Sequence, residues 1–195
     1  MQVPSLTPLL ACQDSAVYSL RDSSVRNRLL LDAVPVVLKL YRNDGGASGE
    51  WFVFGASDGH VGLVRCSRAG PTLQWTLPGT DAGAAVTSLD FYDVRQGGTG
   101  SQLLVGRADG TVQVYEFTDS EAEEEERCQR PPPTCIFSHN YNDSIASVRG
   151  GVIGLNGCPE ILVATNHGNL VLPSRLAQSN PSHSLLSNSA TIFLA

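Results

Sequence analysis

The 195-residue sequence contains no apolar run approaching the roughly 18 residues that read as a membrane-spanning helix. Its opening, MQVPSLTPLL, lacks a basic n-region and offers only a short apolar piece, so it reads poorly as a secretory signal peptide. Basic residues are scarce, 13 Lys and Arg against 19 Asp and Glu for a formal net charge of -6, and they form no cluster. A nucleic-acid surface wants a basic stripe, so nucleic acid is excluded as the expected partner. The five cysteines, Cys12, Cys66, Cys128, Cys135 and Cys158, are odd in number and widely spaced, without a CxxC pair. That argues against a disulfide framework or a zinc site and fits reduced thiols in a cytosolic compartment. The triplet Asn142-Asp143-Ser144 would matter as a glycosylation signal only in a secreted chain. Helix signals are nearly absent as well. What remains is an ordinary globular composition, 42% hydrophobic and 16% charged, long enough for a sizeable core.

What is present is a repeat. FVFGASDGHVGLV (52–64) returns as LLVGRADGTVQVY (103–115), with weaker copies in LACQDSAVYSL and VATNHGNLVL. The corners of the four copies, at Asp14, Asp58, Asp109 and His167, stand 44, 51 and 58 residues apart, a spacing of repeated supersecondary units. Asp-Gly, as at Asp58-Gly59 and Asp109-Gly110, is the favoured pair for a two-residue hairpin in which both central residues take positive φ. His167-Gly168 occupies the same place in the last copy.

Before each corner the chain is almost continuously apolar (WFVFGA, QLLVG, EILVA), as in a strand covered on both faces. After it, apolar and polar residues alternate, with Val112, Val114 and Phe117 set against Gln113 and Glu116. Further strands are expected upstream (VPVVLKLYR, AVTSLDFYD, SIASVRGGVIG) and downstream (TLQWTLP, TCIFSHN). Four short antiparallel strands per repeat make the blade of a β-propeller. The expected fold is therefore all-β: a partial, open-arc propeller with two reasonably complete blades and partial ones on either side. Gly55 and Gly106 are expected where neighbouring backbone comes close.

The same residues bound the chemistry. Calcium-binding propellers carry runs of Asp and Asn in the loops between the first two strands of a blade. Those loops here keep only Asn43, Asp44 and Glu50, then Asp93, then Asn156 and Glu160. A calcium site needs about six oxygens at once, so no metal and no other cofactor is expected. GGTGS (97–101) has no following lysine and leads into a strand, so it is no phosphate cradle. His60, His139, His167 and His183 share no ligand spacing, and no serine stands in a G-x-S-x-G elbow. Trp51 and Trp75 lie in apolar strand runs and read as core. No catalytic set assembles, and the chain is not expected to be an enzyme. The corner residues Asp14, Asp58, Gly59, Asp109, Gly110, His167 and Gly168 are expected to be structural turns. The acidic run DSEAEEEER and the prolines after it read as an insertion over 119–133, solvated at a blade's outer edge.

LTPLLACQDSAVYSL, NDGGASGEWFVFGASDGHVGLV, LLVGRADGTVQVYEF and SIASVRGGVIG with EILVAT resemble consecutive stretches of the Bardet-Biedl syndrome 7 family, from about Leu6 to about Leu172. The resemblance implies the amino-terminal, seven-bladed propeller of a BBSome subunit. It further implies a scaffold without catalysis in ciliary membrane-protein trafficking and cilium assembly. The implied partners are other BBSome subunits in a hetero-oligomer, with no direct membrane span. The implied location is the cytoplasm, the cilium, its basal body and the centrosomal region. On this reading 1–172 is the partial propeller and 173–195 a poorly ordered Ser/Asn-rich tail. A second reading, an integrin-like calcium-dependent adhesion propeller, is disfavoured by the missing signal peptide, the odd cysteines and the depleted loops.

Overall fold

The computed structural model describes residues 8–21, 24–43, 49–93, 102–117, 131–152, 159–172 and 190–193. Among them every regular element is a strand, and the strands form four antiparallel sheets in chain order. The first sheet contains β1 (Leu9–Cys12), β2 (Ala16–Arg21) and β3 (Ser24–Leu30). The second contains β4 (Pro35–Asn43), β5 (Glu50–Ala56), β6 (Val61–Ser67) and β7 (Gly70–Leu77). β8 (Val86–Tyr92), β9 (Gln102–Arg107), β10 (Thr111–Glu116) and β11 (Thr134–Asn140) make the third. β12 (Ile145–Val152), β13 (Pro159–Thr165), β14 (Asn169–Leu172) and β15 (Ala190–Phe193) make the fourth. In each sheet the strands lie side by side in the order of the sequence.

Two compact units divide the chain between Val86 and Thr87. The first unit holds the first two sheets, the second the third and fourth apart from Val86. Within each, sheet packs on sheet through the apolar strands that flank the corners. In the second unit Leu104, Val112 and Val114 interlock with Ile145, Val148, Ile161 and Val163. All seven are at most 3% exposed. Burying an aliphatic side chain of this size contributes about 1.5–3 kcal/mol, so each member of this cluster adds measurably to the unit's stability. The first unit packs Phe54, Ala56 and Val64 against Leu29, Leu31, Ala33 and Leu38. The continuous apolar runs of β5 and β9 are buried along almost their whole length, as a strand covered on both faces requires. Trp51 and Trp75 are 6% and 7% exposed.

The two strand glycines have a purpose different in detail from the expected one. A Cβ at Gly106 would lie 2.6 Å from Cγ2 of Ile145, and one at Gly55 would lie 2.4 Å from Cγ1 of Val86. The close neighbour is thus a β-branched side chain, not backbone. In the second unit the first strands of the two sheets are also stapled by side chains. The Val148 amide donates to Ser88 Oγ at 3.1 Å, and the Gly150 amide donates to an Asp90 carboxylate oxygen at 3.1 Å.

Two expectations are corrected. Sheets two, three and four are complete at four strands, rather than only two of them. The first sheet, with β3 as its third strand, is a partial one as expected. Residues 190–193, read as part of the 173–195 tail, form β15 and pair with β14, Leu170 opposite Ile192. The rest of that tail lies outside the described residues, as do 119–130 of the expected 119–133 insertion.

Cys66 is 4% exposed and burial pushes its thiol up from the ordinary range, whereas Cys135 is exposed on β11. Only the thiolate reacts, so a maleimide is expected to label Cys135 rapidly and to leave Cys66 unmodified until the chain unfolds. Mass mapping of the labelled peptides before and after denaturation checks both.

Candidate interaction site at the corner loops

Each corner is a three-residue loop, not the two-residue turn that Asp-Gly suggested. In the second sheet the Gly59 amide donates to the Ala56 carbonyl at 3.1 Å and the Ala56 amide to the His60 carbonyl at 2.8 Å. This is a type I turn closed by a residue in the left-handed region. Only that residue has positive φ: Gly59 at 90°, Gly110 at 88°, Gly168 at 85° and, in the first sheet, Ser15 at 56°. Asp58 and Asp109 do not. They occupy the position before the glycine, where a short acceptor can brace the loop. Asp58 Oδ1 accepts from the His60 amide at 3.1 Å, and Asp109 Oδ1 accepts from the Thr111 amide at 2.9 Å. Asn140 reaches over the third corner, its Nδ2 donating to the Asp109 carbonyl at 3.0 Å.

The other two corners use their polar residue differently. Asp14 receives Tyr18 Oη at 2.5 Å and Arg28 Nη2 at 3.0 Å, with the Arg28 guanidinium 5.7 Å from the Tyr18 ring centre. His167 extends into solvent, 85% exposed along its side chain, and its Nδ1 lies 2.6 Å from Asp143 Oδ1. Asp143 comes from the segment that enters β12. The sequence offered it only as the middle of a glycosylation triplet, so the residue that anchors the fourth corner went unrecognised.

These connecting segments are fastened at both ends. In the first unit the Leu31 amide donates to the Ser15 carbonyl at 2.8 Å, and the Ser57 amide donates to the Val34 carbonyl at 2.9 Å. In the second unit the Tyr141 amide donates to the Gly110 carbonyl at 2.9 Å, and the Asn166 amide to the Ser144 carbonyl at 2.8 Å. One four-residue link per unit therefore ties the corner of the sheet it leaves to the corner of the sheet it enters. Within each unit the corners and their link have a hydrogen-bonded backbone, with polar tips at Asp14, Asp58 and His60 in the first unit and at Asp109, Asp143 and His167 in the second. Rigidly held loops of this kind are where scaffold proteins commonly bind.

The Asp143 carboxyl sits below its ordinary range because Thr165 and then His167 hydrogen-bond the charged form. A carboxylate depressed by folding contributes stability above its unfolded pKa, and that stability is lost as pH falls through the lower folded value. Asp143→Asn is therefore expected to lower the melting temperature at neutral pH. The gap from wild type should close as pH drops below the ordinary Asp value of 3.8. Melting curves of both proteins from pH 7 down to acid test this. A gap independent of pH would show that the charge is not involved.

The candidate calcium residues fall partly within strands. Glu50 lies within β5, 8% exposed and opposite Cys66, and Glu160 lies within β13. Asn43 ends β4, Asp93 follows β8, and Asp44 and Asn156 lie outside the described residues. Among the described residues no three His, Cys, Asp or Glu side chains stand close enough to hold a metal ion. Among the same residues no helix is long and apolar enough to cross a membrane.

Four-stranded antiparallel sheets following one another along the chain, with corner and link repeating from unit to unit, define a β-propeller protein, here a partial one. The chain belongs to the BBS7 β-propeller family, whose model matches residues 1–172. It is 34% identical over 163 residues to the mouse (Mus musculus) protein described as BBSome complex member BBS7, covering 84% of this chain and 21% of that one. It is 29% identical over 115 residues to BBSome complex member bbs-7 of Caenorhabditis elegans, covering 59% and 16%. The chain thus spans about a fifth of the length of the curated relatives it matches. Among solved structures it is similar to BBS1N crystallised in complex with ARL6DN, at TM-score 0.55 and 14% identity over 85% of this chain and 45% of that one. It is also similar to the Cps50 (Swd1) β-propeller domain of Myceliophteria thermophila, at TM-score 0.55 and 16% identity over 95% and 54%. At these identities the two structures speak for the fold alone.

Proposed function

We propose that this chain is a non-catalytic interaction module of a BBSome-type subunit, serving ciliary membrane-protein trafficking and cilium assembly. Its partners on this reading are other BBSome subunits, met at the cilium, the basal body and the centrosomal region. The observation that carries the reading is the family match across residues 1–172. The geometry supports it. The polar groups of the corners are engaged in bracing loops, which suits a surface that recognises by shape and charge. On this reading Asp14, Asp58, Gly59, Asp109, Gly110, His167 and Gly168 build the turns, and the solvent-facing edges of those corners, with His60 and Asp143 beside them, are what a partner meets.

The test is affinity purification of the tagged chain from ciliated cells, with quantitative mass spectrometry of what comes with it. BBSome subunits should be enriched over a tagged, unrelated propeller. Recovery of folded chain without any BBSome subunit would overturn the proposal.

A further inference from the structure

A strand at the edge of a sheet turns alternate backbone N–H and C=O groups outward, and proteins usually guard such edges with charge, proline or irregularity. β3, the last strand of the first sheet, carries Arg26 and Arg28, and β7, the last strand of the second, carries Pro71. β11 is the last strand of the third sheet, and its sequence TCIFSHN has no Lys, Arg, Asp, Glu or Pro. Its one irregularity is at Ile136, where the register against β10 passes from Phe137 opposite Val114 to Cys135 opposite Tyr115. From Phe137 to Asn140 the pairing is regular.

Hydrogen bonding tells which groups of this run face outward. The Tyr141 amide donates to the Gly110 carbonyl at 2.9 Å. Antiparallel pairs alternate, so His139 and Phe137 turn their backbone groups toward Val112 and Val114. Ser138 and Asn140 turn theirs away from the sheet, and no bond between described residues uses either amide. Both residues are exposed, as is His139 between them. Beside these groups runs a row of rings. The centres of Phe137 and His139 are 6.4 Å apart, and those of His139 and Tyr141 4.6 Å. Phe137 and Tyr141 are partly buried where they lean on the cluster around Ile145.

From this edge we infer that β11 takes up an extended strand of a partner subunit, which adds to the third sheet at Ser138 and Asn140. The inference rests on the function proposed above and names where the contact falls. The backbone groups fix the occupant's conformation, since an extended segment meets the donors and acceptors of both residues at once. The row of rings fixes its side chains: an aromatic or β-branched residue opposite His139 makes a favoured cross-strand pair. A second copy of the chain fits less well. β11 can pair with itself in one register, Ser138 opposite Asn140. The others run into the bulge at Ile136 or into Asn142, which leaves the strand at φ 56°. That one register sets His139 against His139 and brings no apolar residue to the row.

Ser138→Pro removes an outward N–H that the sheet does not use, so the variant should fold and melt as the wild type does. In affinity purification of the tagged chain from ciliated cells it should lower recovery of BBSome subunits at least about tenfold. Ser138→Ala keeps the amide and should leave recovery unchanged. His139→Lys is the second variant. It sets a charge in the row of rings without touching the backbone, and should cut recovery as well, whatever proline does to the fold. Recovery equal to wild type from Ser138→Pro and His139→Lys would overturn the assignment of this edge and leave the proposed function standing. A wild-type chain that brings down no BBSome subunit would overturn that function, and this inference with it. A wild-type dimer by light scattering that Ser138→Pro turns into monomer would show β11 pairing with its own copy, and would overturn the partner strand.

Discussion

Gly110→Val is expected to destabilise the chain by about 3 kcal/mol or more, while Asp109→Asn beside it changes stability by less than about 0.5 kcal/mol. Gly110 has φ of 88°, and a Cβ there would lie 2.9 Å from both the backbone nitrogen and the backbone oxygen of Asp143. Valine would add left-handed strain to a clash with backbone that is itself held by the link. Asparagine at 109 keeps an oxygen able to accept the Thr111 amide. The corners provide their own controls. Gly168 has φ of 85° and nothing within 4 Å of its Cβ position, so Gly168→Ala should cost only the conformational part, about 1–2 kcal/mol. Ser15 already stands in the left-handed position at φ 56°, and Ser15→Gly should gain up to about 1 kcal/mol. Urea unfolding of the four variants measures all of these. Equal damage from Gly110→Val and Asp109→Asn would mean that the carboxylate, not the backbone, is what the corner needs.

The second large effect lies where β9 meets β12. Gly106→Ala places a carbon 2.6 Å from Cγ2 and 3.3 Å from Cβ of Ile145, and overpacking of this kind costs about 1–3 kcal/mol. Ile145→Ala empties a site that is 0% exposed, at about 2–5 kcal/mol. Together the two changes should cost less than their sum by about 0.5–3 kcal/mol, because the alanine methyl at 106 occupies space that the isoleucine branch leaves. A double-mutant cycle in urea reads that coupling. Strict additivity would show that the glycine is not there to seat Ile145.

The apolar runs WFVFGA and QLLVG made β5 and β9 legible, because a strand buried along almost its whole length has no need of alternation. The repeat at Asp58 and Asp109 gave the corners. What escaped has a common cause. β3 is amphiphilic and partly bare, so Arg26 and Arg28 interrupt the pattern on which strands are recognised. β15 is separated from β14 by 17 residues, and local sequence carries no sign of a partner so far away. Asp-Gly fits both a two-residue turn and the end of a three-residue loop; hydrogen bonding from Gly59 to Ala56 decides between them, and that depends on the register of β5 against β6. Asp143 was missed because its partner, His167, is brought to it only by the pairing of β12 with β13.

The doubly fastened links have a kinetic signature. Amides in loops normally exchange with solvent deuterium within seconds, and strand amides wait for the sheet to open. Leu31, Ser57, Tyr141 and Asn166 are loop or turn amides, yet each donates across a junction between two sheets of one unit. None of them can be freed by fraying at a single corner without the link on the other side also shifting. Their deuterium uptake should therefore follow the slow amides of β5 and β13 rather than the rest of the loops, so that each link reports when its pair of sheets comes apart as one cooperative piece.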